Sequence, residues 1–392
     1  MGQEKKADLN RHSDFHVVAT PAELKEMVAV LEKEKALGID LEADSMYHFA
    51  EKICLIQIAT EKAGFVIDTL ALEDISLLKP IFYSTDIQKI FHGSDYDIRS
   101  LYRDYRMRVN SLFDTQLACR FLGMQETGLD AVLFKFFDIR LDKKYQKKDW
   151  SKRPLPDEML AYAAKDVLYL VALGKLLENE LEQKARLFWV NEESRWLSRL
   201  KPSANEAEPL FLRFKGAGRL DPRELAILEA ILKYRKTVAK QKDRPMFKIF
   251  SNAAVLKIVK TRPLTIGQLE KTGALSRKQI GMYGEALIQK VQQALAKPGA
   301  ELLRYPHKRA PMVKPKIRRR IKALKTWREN KARQIGIEPA LVCSKVVMAD
   351  LAAKLPNRVS QLKEIKDMRT WQKKVWGEEI ITLLRETDGR RN

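Results

Sequence analysis

The first half of the chain alternates short apolar runs with longer amphipathic segments. Four runs rich in Ile, Val and Phe have the length and composition of β-strands: Ala36–Leu41, Ile53–Ala59, Gly64–Ile67 and Lys89–His92. Apolar residues at helical spacing predict four helices: Pro21–Lys35, Asp97–Tyr105, Thr115–Leu122 and Asp157–Gln183. The pattern predicts a layered α/β domain over residues 16–200.

Strand signals stop near residue 200, and helical periodicity dominates the rest of the chain. A polar stretch with a proline predicts a linker at 201–211. Beyond it, identical residues recur at a separation of 93 positions, for example Arg235 and Arg328, Ser251 and Ser344, Pro263 and Pro356, Gln268 and Gln361, and Gly284 and Gly377. Amphipathic periodicity alone would not repeat Pro, Gly and Gln together. The repeat therefore predicts two separate copies of one small all-α domain, at 212–298 and 317–388.

The strip that joins the two copies is strongly basic. Residues Arg304–Lys325 include ten Lys or Arg and no acidic residue, and we predict a basic linker at 299–316. The strip is either a solvated linker or a surface that follows phosphates. The whole chain carries a net charge of +22 with a pI near 9.7, which favours a polyanionic partner such as nucleic acid.

Cysteine usage and hydropathy bear on the cellular compartment. The three cysteines are far apart and lack CxxC spacing, which argues against a disulfide framework or a structural zinc site. Residues 1–15 are predicted to be flexible and contain no signal-peptide-like apolar core. No apolar run approaches the roughly 18 residues of a membrane span. These features predict a cytoplasmic protein without a membrane segment.

Carboxylates recur at positions suited to a metal site. Asp40 and Glu42 are two residues apart on a predicted strand, so both side chains project from the same face. Asp95 and Asp97 lie where the strand ending at His92 gives way to a helix. A capping role explains one of these two acids. Physical reasoning from the residues does not separate them.

A third element lies within the last predicted helix of the α/β domain. Tyr162 and Asp166 are four residues apart, which places phenol and carboxylate on one helix face. Each element alone has an ordinary structural explanation. Together, acids on a strand, at a strand–helix junction and on a late helix are the ligands that two hard divalent cations require.

These motifs resemble those of the DEDD 3′→5′ exonucleases of the tyrosine-containing subclass, and the match is closest to the ribonuclease D group. The resemblance is carried by D-x-E, H-x-x-x-x-D and Y-x-x-x-D in this order, and it extends to Phe113–Ala118, Lys143–Gln146 and Asp149–Leu155. The first motif continues as Ala43-Asp44, nearer to the pattern of the eukaryotic nuclear exosome's exonuclease subunit. Both C-terminal repeats resemble HRDC domains.

The resemblance implies an RNase H-like exonuclease fold, in which helices flank a mixed sheet. It also implies a two-metal exoribonuclease using Mg²⁺ or Mn²⁺. Its metal-binding acids correspond to Asp40, Glu42, Asp97 and Asp166, and its water-orienting tyrosine to Tyr162. Asp97 is selected over Asp95 because the family acid falls five residues after the histidine.

The implied partner is RNA, with precursors of tRNA as the expected substrate. The products would be nucleoside 5′-monophosphates, and the enzyme is expected to be monomeric. Two alternatives stay open: a DNA exonuclease of the same family and a catalytically silent RNA-binding protein. Against the second, all four acids are present.

Five further residues are candidates for substrate contact: His48, Phe49, His92, Gln146 and Arg153. His92 is otherwise a strand-end residue satisfied by its neighbours, and Arg153 is otherwise a loop anchor. The six tryptophans are expected in core or interdomain packing rather than as base-stacking platforms.

Overall fold

A computed structural model describes residues 15–202, 208–306 and 314–389. These residues form two compact units. The larger takes in residues 15–43, 53–202 and 314–389, and the smaller takes in 44–52 and 208–306. Most of the predicted flexible N-terminus, part of the predicted linker (203–207) and part of the basic strip (307–313) lie outside the described residues.

A six-stranded mixed sheet forms the centre of the larger unit. Its strands are β1 (Phe15–Val18), β2 (Ala36–Ala43), β3 (Ile53–Ala59), β4 (Gly64–Asp68), β5 (Gln88–Phe91) and β6 (Leu112–Asp114). Their order across the sheet is β1-β4-β3-β2-β5-β6. Strand β3 runs antiparallel to both neighbours, whereas β2, β5 and β6 are mutually parallel. The carboxyl ends of these three strands therefore meet at one edge.

Helices cover both faces of this sheet. They are α1 (Pro21–Leu31), α2 (Lys79–Tyr83), α3 (Asp95–Tyr105), α4 (Thr115–Leu122), α5 (Leu129–Phe137), α6 (Asp157–Leu168), α7 (Leu170–Gln183) and α8 (Leu187–Leu197). Residues of β2 that pack towards α1, such as Ile39, alternate with residues that face α6 and α7. This layered arrangement confirms the predicted α/β class.

Two local departures from the predicted elements have clear causes. The helix predicted over Asp157–Gln183 is interrupted at Tyr169. The interruption lies against Gly38, where an added Cβ would come within 2.8 Å of the Val167 carbonyl and the Leu170 Cβ. Amphipathic periodicity continues through the bend, so the pattern gives no sign of it. The edge strands β1 and β6 have only four and three residues and carry little periodic signal.

The smaller unit is a helical bundle. Its helices are α9 (Pro222–Gln241), α10 (Met246–Ile249), α11 (Asn252–Thr261), α12 (Ile266–Thr272) and α13 (Arg277–Ala296). The first begins with a capping box, in which Asp221 and Glu224 each accept a backbone N–H of the other. Residues 44–52 also belong to this unit, and Phe49 packs against its apolar core.

A second bundle of the same kind belongs to the larger unit. It comprises α14 (Pro315–Ile335), α15 (Pro339–Val342), α16 (Lys345–Lys354) and α17 (Thr370–Gly389). Part of the predicted basic strip is thus helical, and its Arg320 pairs with Asp388. The core of this bundle is continuous with that of the sheet domain, because Trp189 stacks on Trp371 with ring centroids 4.5 Å apart. The sequence did not predict this docking.

The sequence repeat has a structural counterpart in each bundle. Arg235 donates to the Phe250 carbonyl, and Arg328 donates in the same way to the Cys343 carbonyl. The two contacts are equivalent, because Arg328 and Cys343 lie one repeat separation after Arg235 and Phe250. Ser251 and Ser344 likewise cap equivalent helices, and Gly284 and Gly377 let the equivalent leucines Leu269 and Leu362 approach. The shared Arg, Ser and Gly residues therefore preserve one bundle geometry.

Tryptophan placement agrees with the expected packing role. Five indoles are buried: Trp150, Trp189, Trp327, Trp371 and Trp376. Trp196 is 43% exposed and lies under the guanidinium groups of Arg199 and Arg369. Among the described residues, no helix is both long enough and apolar enough to cross a membrane.

Candidate active site

Strand β2 presents two acids on the face opposite its apolar side chains. Ile39 and Leu41 pack into the core on the α1 side, so Asp40 and Glu42 face α6. The β2–β3 register shifts directly after Glu42, which ends regular pairing at the acidic end of the strand. The structure places both side chains on one face of β2, which is the arrangement that their two-residue spacing predicts.

Asp97 reaches the same region from the junction of β5 and α3. Strand β5 ends at Phe91, and the chain turns at Gly93, whose φ of 79° lies in the left-handed region. Asp114 fixes this turn because its carboxylate accepts the backbone N–H groups of Gly93 and Ser94 at 3.1 and 2.8 Å. It also accepts the Ser94 hydroxyl and the Leu117 N–H. The Ser94 side chain precedes α3 without capping it, since its hydroxyl donates to Asp114.

The structure distinguishes Asp97 from Asp95. Asp97 is only 7% exposed, and this burial raises its pKa well above the usual range, with a further contribution from the charge of Asp40. Asp95 points to solvent and pairs with Arg99 at 2.8 Å. Asp97 thus has the location that a metal-binding acid needs, and Asp95 has that of an ordinary helix-surface charge.

Helix α6 supplies the remaining two groups. Ala163 and Ala164 are buried against β3 and β4, and these small side chains allow a close approach to the sheet. Tyr162 and Asp166 consequently line a cavity of about 350 Å³ together with Asp40. Gly38 contributes at the next turn, because it allows the α6–α7 junction to lie directly on β2.

The four carboxylates are mutually unfavourable when all are charged. Burial raises the pKa of Asp40 to about 6 and that of Asp166 to about 8, the latter with a further contribution from the Asp40 charge. Burial also raises the pKa of Glu42 well above its usual value, and repulsion by Asp40, Asp166 and Asp97 raises it further. Such a cluster binds protons or cations readily.

Tyr162 stays neutral beside these acids. Burial, followed by the charges of Asp166 and Glu42, raises its pKa above the usual range. Its ring contacts Tyr145 edge to face, with centroids 5.7 Å apart, and lies 6.1 Å from the ring of Trp150. These rings fix the orientation of a phenol that can donate a hydrogen bond into the cavity.

The donor set fits divalent cations. All four acids offer carboxylate oxygens, which are the ligands preferred by Mg²⁺, and their repulsion is relieved by positive charge. Within 15–202, 208–306 and 314–389, no three His, Cys, Asp or Glu side chains are already arranged as a set of metal ligands. The fit therefore rests on the chemistry and charge of the four side chains.

Two of the five substrate-contact candidates line the cavity, His92 and Gln146. The His92 ring nitrogens lie 2.9 Å from the Thr115 hydroxyl and 2.8 Å from the Thr127 carbonyl. Burial also lowers the pKa of this imidazole. Because both nitrogens are used within the protein, His92 has the properties of a satisfied strand-end residue rather than of a general base.

Arg153 is a loop anchor, so its predicted phosphate contact is not supported. Its guanidinium forms a bidentate ion pair with the Asp68 carboxylate, with N–O distances of 2.6 and 2.7 Å. The remaining donors reach the carbonyls of Trp150, Lys152 and Cys54. Every N–H of this guanidinium is thus occupied by the protein.

His48 and Phe49 contact a residue of the smaller unit. The His48 Nδ1 lies 2.6 Å from the Asp243 carboxylate, which also accepts the Phe49 N–H at 3.1 Å. A role for either residue in substrate binding stays a prediction.

Sequence reasoning missed one polar residue of this region, Gln57. It lies opposite Asp40 in the β2–β3 ladder, is fully buried, and neither side-chain amide atom has a hydrogen-bond partner. The available signal was a single polar side chain within the otherwise apolar strand ICLIQIA.

Known protein families match the same segments. The 3′-5′ exonuclease family matches residues 15–182, and the HRDC domain family matches residues 224–291 and 318–384. Ribonuclease D of Gluconacetobacter diazotrophicus is 27% identical over 95% of this chain and 93% of its own length.

Protein RRP6-like 3 of Arabidopsis thaliana is 39% identical over 44% of this chain. This chain spans only 20% of that relative's length. The crystal structure of RNase D from Escherichia coli has the same fold, with a TM-score of 0.72 and 23% identity over 95% of this chain and 99% of that one. The chain therefore carries a 3′-5′ exonuclease domain followed by two HRDC domains, and it is similar to ribonuclease D over almost its whole length.

Proposed function

We propose that this protein is a 3′→5′ exoribonuclease that removes nucleoside 5′-monophosphates with two divalent cations, Mg²⁺ or Mn²⁺. The observation that carries the proposal is the convergence of Asp40, Glu42, Asp97 and Asp166 beside a cavity into which Tyr162 faces. The similarity to ribonuclease D over almost the whole chain supports RNA as the substrate.

The proposed roles follow from the chemistry of each side chain. The four carboxylates would hold the cations. The charge of Asp40 raises the pKa of Glu42, its neighbour on β2, and also that of Asp166. When bound, the cations would supply activation of the attacking water and stabilisation of the charge on the scissile phosphate and the leaving 3′ oxygen. Tyr162, as a neutral phenol, would orient the attacking water by a hydrogen bond.

The finer substrate assignment is also part of this proposal. Precursors of tRNA with 3′ extensions are the expected substrate, and the net charge of +22 favours binding of a structured polyanion. A monomeric state and a cytoplasmic location stay predictions.

Shortening of a 5′-labelled RNA provides the test. We expect stepwise shortening in Mg²⁺ or Mn²⁺, loss in EDTA, and loss on Asp166→Asn or Asp40→Ala. Asp95→Asn is the matched control and should retain activity, since Asp95 pairs with Arg99 at the surface. If Asp40→Ala and Asp166→Asn both shorten RNA normally, the two-metal assignment is wrong.

Matched RNA and DNA oligonucleotides, assayed side by side, distinguish the exoribonuclease from a DNA exonuclease. Retention of RNA without shortening, in the presence of metal, would instead indicate a catalytically silent RNA-binding protein. Product mapping on a tRNA precursor with a 3′ extension then tests the expected substrate.

A further inference from the structure

A second cavity of the larger unit is lined by cations. Its volume is about 470 Å³, and Arg108, Arg195, Arg199 and Lys201 contribute to its wall. Neutral polar lining comes from the hydroxyl and amide residues Thr85, Tyr102, Asn110, Ser111 and Ser198. Nothing in the proposed catalytic chemistry uses these residues.

The strand directions separate this cavity from the carboxylate site. Thr85 precedes β5 and Ser111 directly precedes β6, so the cavity lies at the amino ends of these parallel strands. Asp97 follows β5. Asp114, whose carboxylate fixes the turn at Gly93, is the last residue of β6. The four residues of β5 span about 13 Å. A ligand that occupied both places would therefore have to be extended.

The cationic wall is held in place by apolar and backbone contacts. Leu197 and Leu200 pack against the core of the sheet domain on either side of Arg199. Arg99 donates to the Lys201 carbonyl at 2.7 Å, and the Lys201 ammonium lies 5.3 Å from the centre of the Tyr102 ring. These contacts position the segment that carries Arg199 and Lys201 before any ligand binds.

The charge of this wall is not neutralised within the protein. In the part of the chain that the structure describes, none of the four basic side chains takes part in a salt bridge. The neighbouring acids Asp95 and Asp104 are already paired, with Arg99 and Arg103 respectively. Asp86 adjoins Thr85 in sequence but does not line the cavity. Four uncompensated cations around a polar cavity favour a ligand with several negative charges.

We propose that this cavity binds the sugar–phosphate backbone of the RNA body, away from the 3′ end that is being removed. The inference rests on the proposed exoribonuclease function and adds a second contact for the same substrate. Arginine guanidinium groups pair with phosphate oxygens through two parallel hydrogen bonds, and Lys201 adds a point charge. Such contacts hold a polynucleotide without selecting its sequence.

The test uses the triple variant Arg108→Gln, Arg195→Gln, Lys201→Gln in the full-length protein. The charge-matched control is Lys25→Gln, Lys33→Gln, Lys62→Gln, which alters three exposed lysines of the same unit. Binding of a long structured RNA is measured by fluorescence anisotropy in EDTA, over a series of salt concentrations. Shortening of a short oligonucleotide in Mn²⁺ is measured in parallel.

We expect the triple variant to bind the long RNA at least about tenfold more weakly than the control variant. The slope of log affinity against log salt concentration should become shallower by about two, because each of the three lost phosphate contacts contributes roughly 0.7 to the slope. Shortening of the short oligonucleotide should match that of the wild type. A nucleoside 5′-monophosphate should compete poorly with the long RNA. If it competes as strongly per phosphate as unlabelled long RNA does, the cavity is a free-nucleotide site and the proposal is overturned.

Two other results would also overturn it. Equal losses on long and short RNA would place the cavity within the catalytic machinery or the folding core. Unchanged RNA binding together with lost binding of an acidic polypeptide would identify a protein partner instead. Because binding is measured in EDTA, failure of the cavity proposal is distinguishable from a failure of the wild type to shorten RNA.

Discussion

Gln57 lies directly opposite Asp40 in the antiparallel β2–β3 ladder. Directly opposed residues project from the same face of a sheet, so the amide adjoins the first acid of the candidate site. Gln57 is fully buried, and neither its oxygen nor its nitrogen has a hydrogen-bond partner. A buried amide without partners costs folding free energy, which an apolar side chain of similar size would not.

Replacement of Gln57 by methionine is therefore expected to stabilise the metal-free protein. The free energy of unfolding should rise by about 1 kcal/mol, the lower end of the cost of an unsatisfied buried group. Urea denaturation measures the change, and Leu55→Met, two residues away on the same strand, is the control. A fall of the same size would mean that the amide is hydrogen-bonded in solution.

The candidate acids could be placed on common faces from the sequence because their spacing is local. Asp40 and Glu42 share a face by the two-residue period of a strand, and Tyr162 and Asp166 by one helical turn. The choice between Asp95 and Asp97 was not local. Both lie in the first turn of α3, and only tertiary packing buries one and exposes the other.

Contacts between distant segments were beyond sequence reasoning. The break at Tyr169 reflects the approach of α7 to Gly38, a residue more than a hundred positions earlier. The second HRDC domain was recognised from its repeat, but its docking was not. That docking depends on individual pairs, such as Glu192 with the backbone of Trp371, which no periodicity records.

Gly38→Ala should damage both folding and catalysis. The added methyl group would lie 2.8 Å from the Val167 carbonyl and from the Leu170 Cβ, so α6 and α7 must move outward together with Asp166. We expect a loss of about 1–3 kcal/mol in the free energy of unfolding and a lower kcat. Gly267→Ala is the control, since no atom lies within 4 Å of its added Cβ. Normal kcat in Gly38→Ala would show that Asp166 tolerates the displacement.

Divalent cations should stabilise the protein, and more so at higher pH. The folded state raises the pKa of Asp166 from its ordinary 3.8 to about 8, so the metal-free protein loses stability as pH rises through this window. A cation removes the repulsion, and at a hundredfold excess over its Kd it adds about 2.7 kcal/mol.

Thermal unfolding in EDTA and in Mn²⁺, across a series of pH values, measures this difference. The gain in thermal stability from Mn²⁺ should grow with pH in the wild type. It should be smaller in Asp166→Asn than in the wild type. A gain that is independent of pH and of Asp166 would place the bound cation elsewhere.

The second HRDC domain should contribute to the stability of the exonuclease domain. Glu192 accepts the N–H groups of Thr370 and Trp371 at 2.7 and 2.8 Å, and thereby caps the start of α17. Glu192→Ala should cost about 1 kcal/mol, and Trp371→Ala about 3–5 kcal/mol, in the free energy of unfolding. Val375→Ala, at an exposed position of α17, is the control. Equal effects of Trp371→Ala and Val375→Ala would contradict a shared core.

Lys89 should give the protein a distinct pH dependence in the alkaline range. The side chain is fully buried, and its ammonium donates to the Ser84 and Ile87 carbonyls. Burial lowers its pKa to about 8 from an ordinary 10.5, so between these values the unfolded chain binds more protons than the folded protein. Its contribution to the free energy of unfolding therefore rises with pH, by on the order of 3 kcal/mol over the window. Urea denaturation across this range should show that Lys89→Met lacks this rise while Lys25→Met retains it. The same alkaline slope in all three proteins would mean that the Lys89 ammonium is solvated as in the unfolded chain.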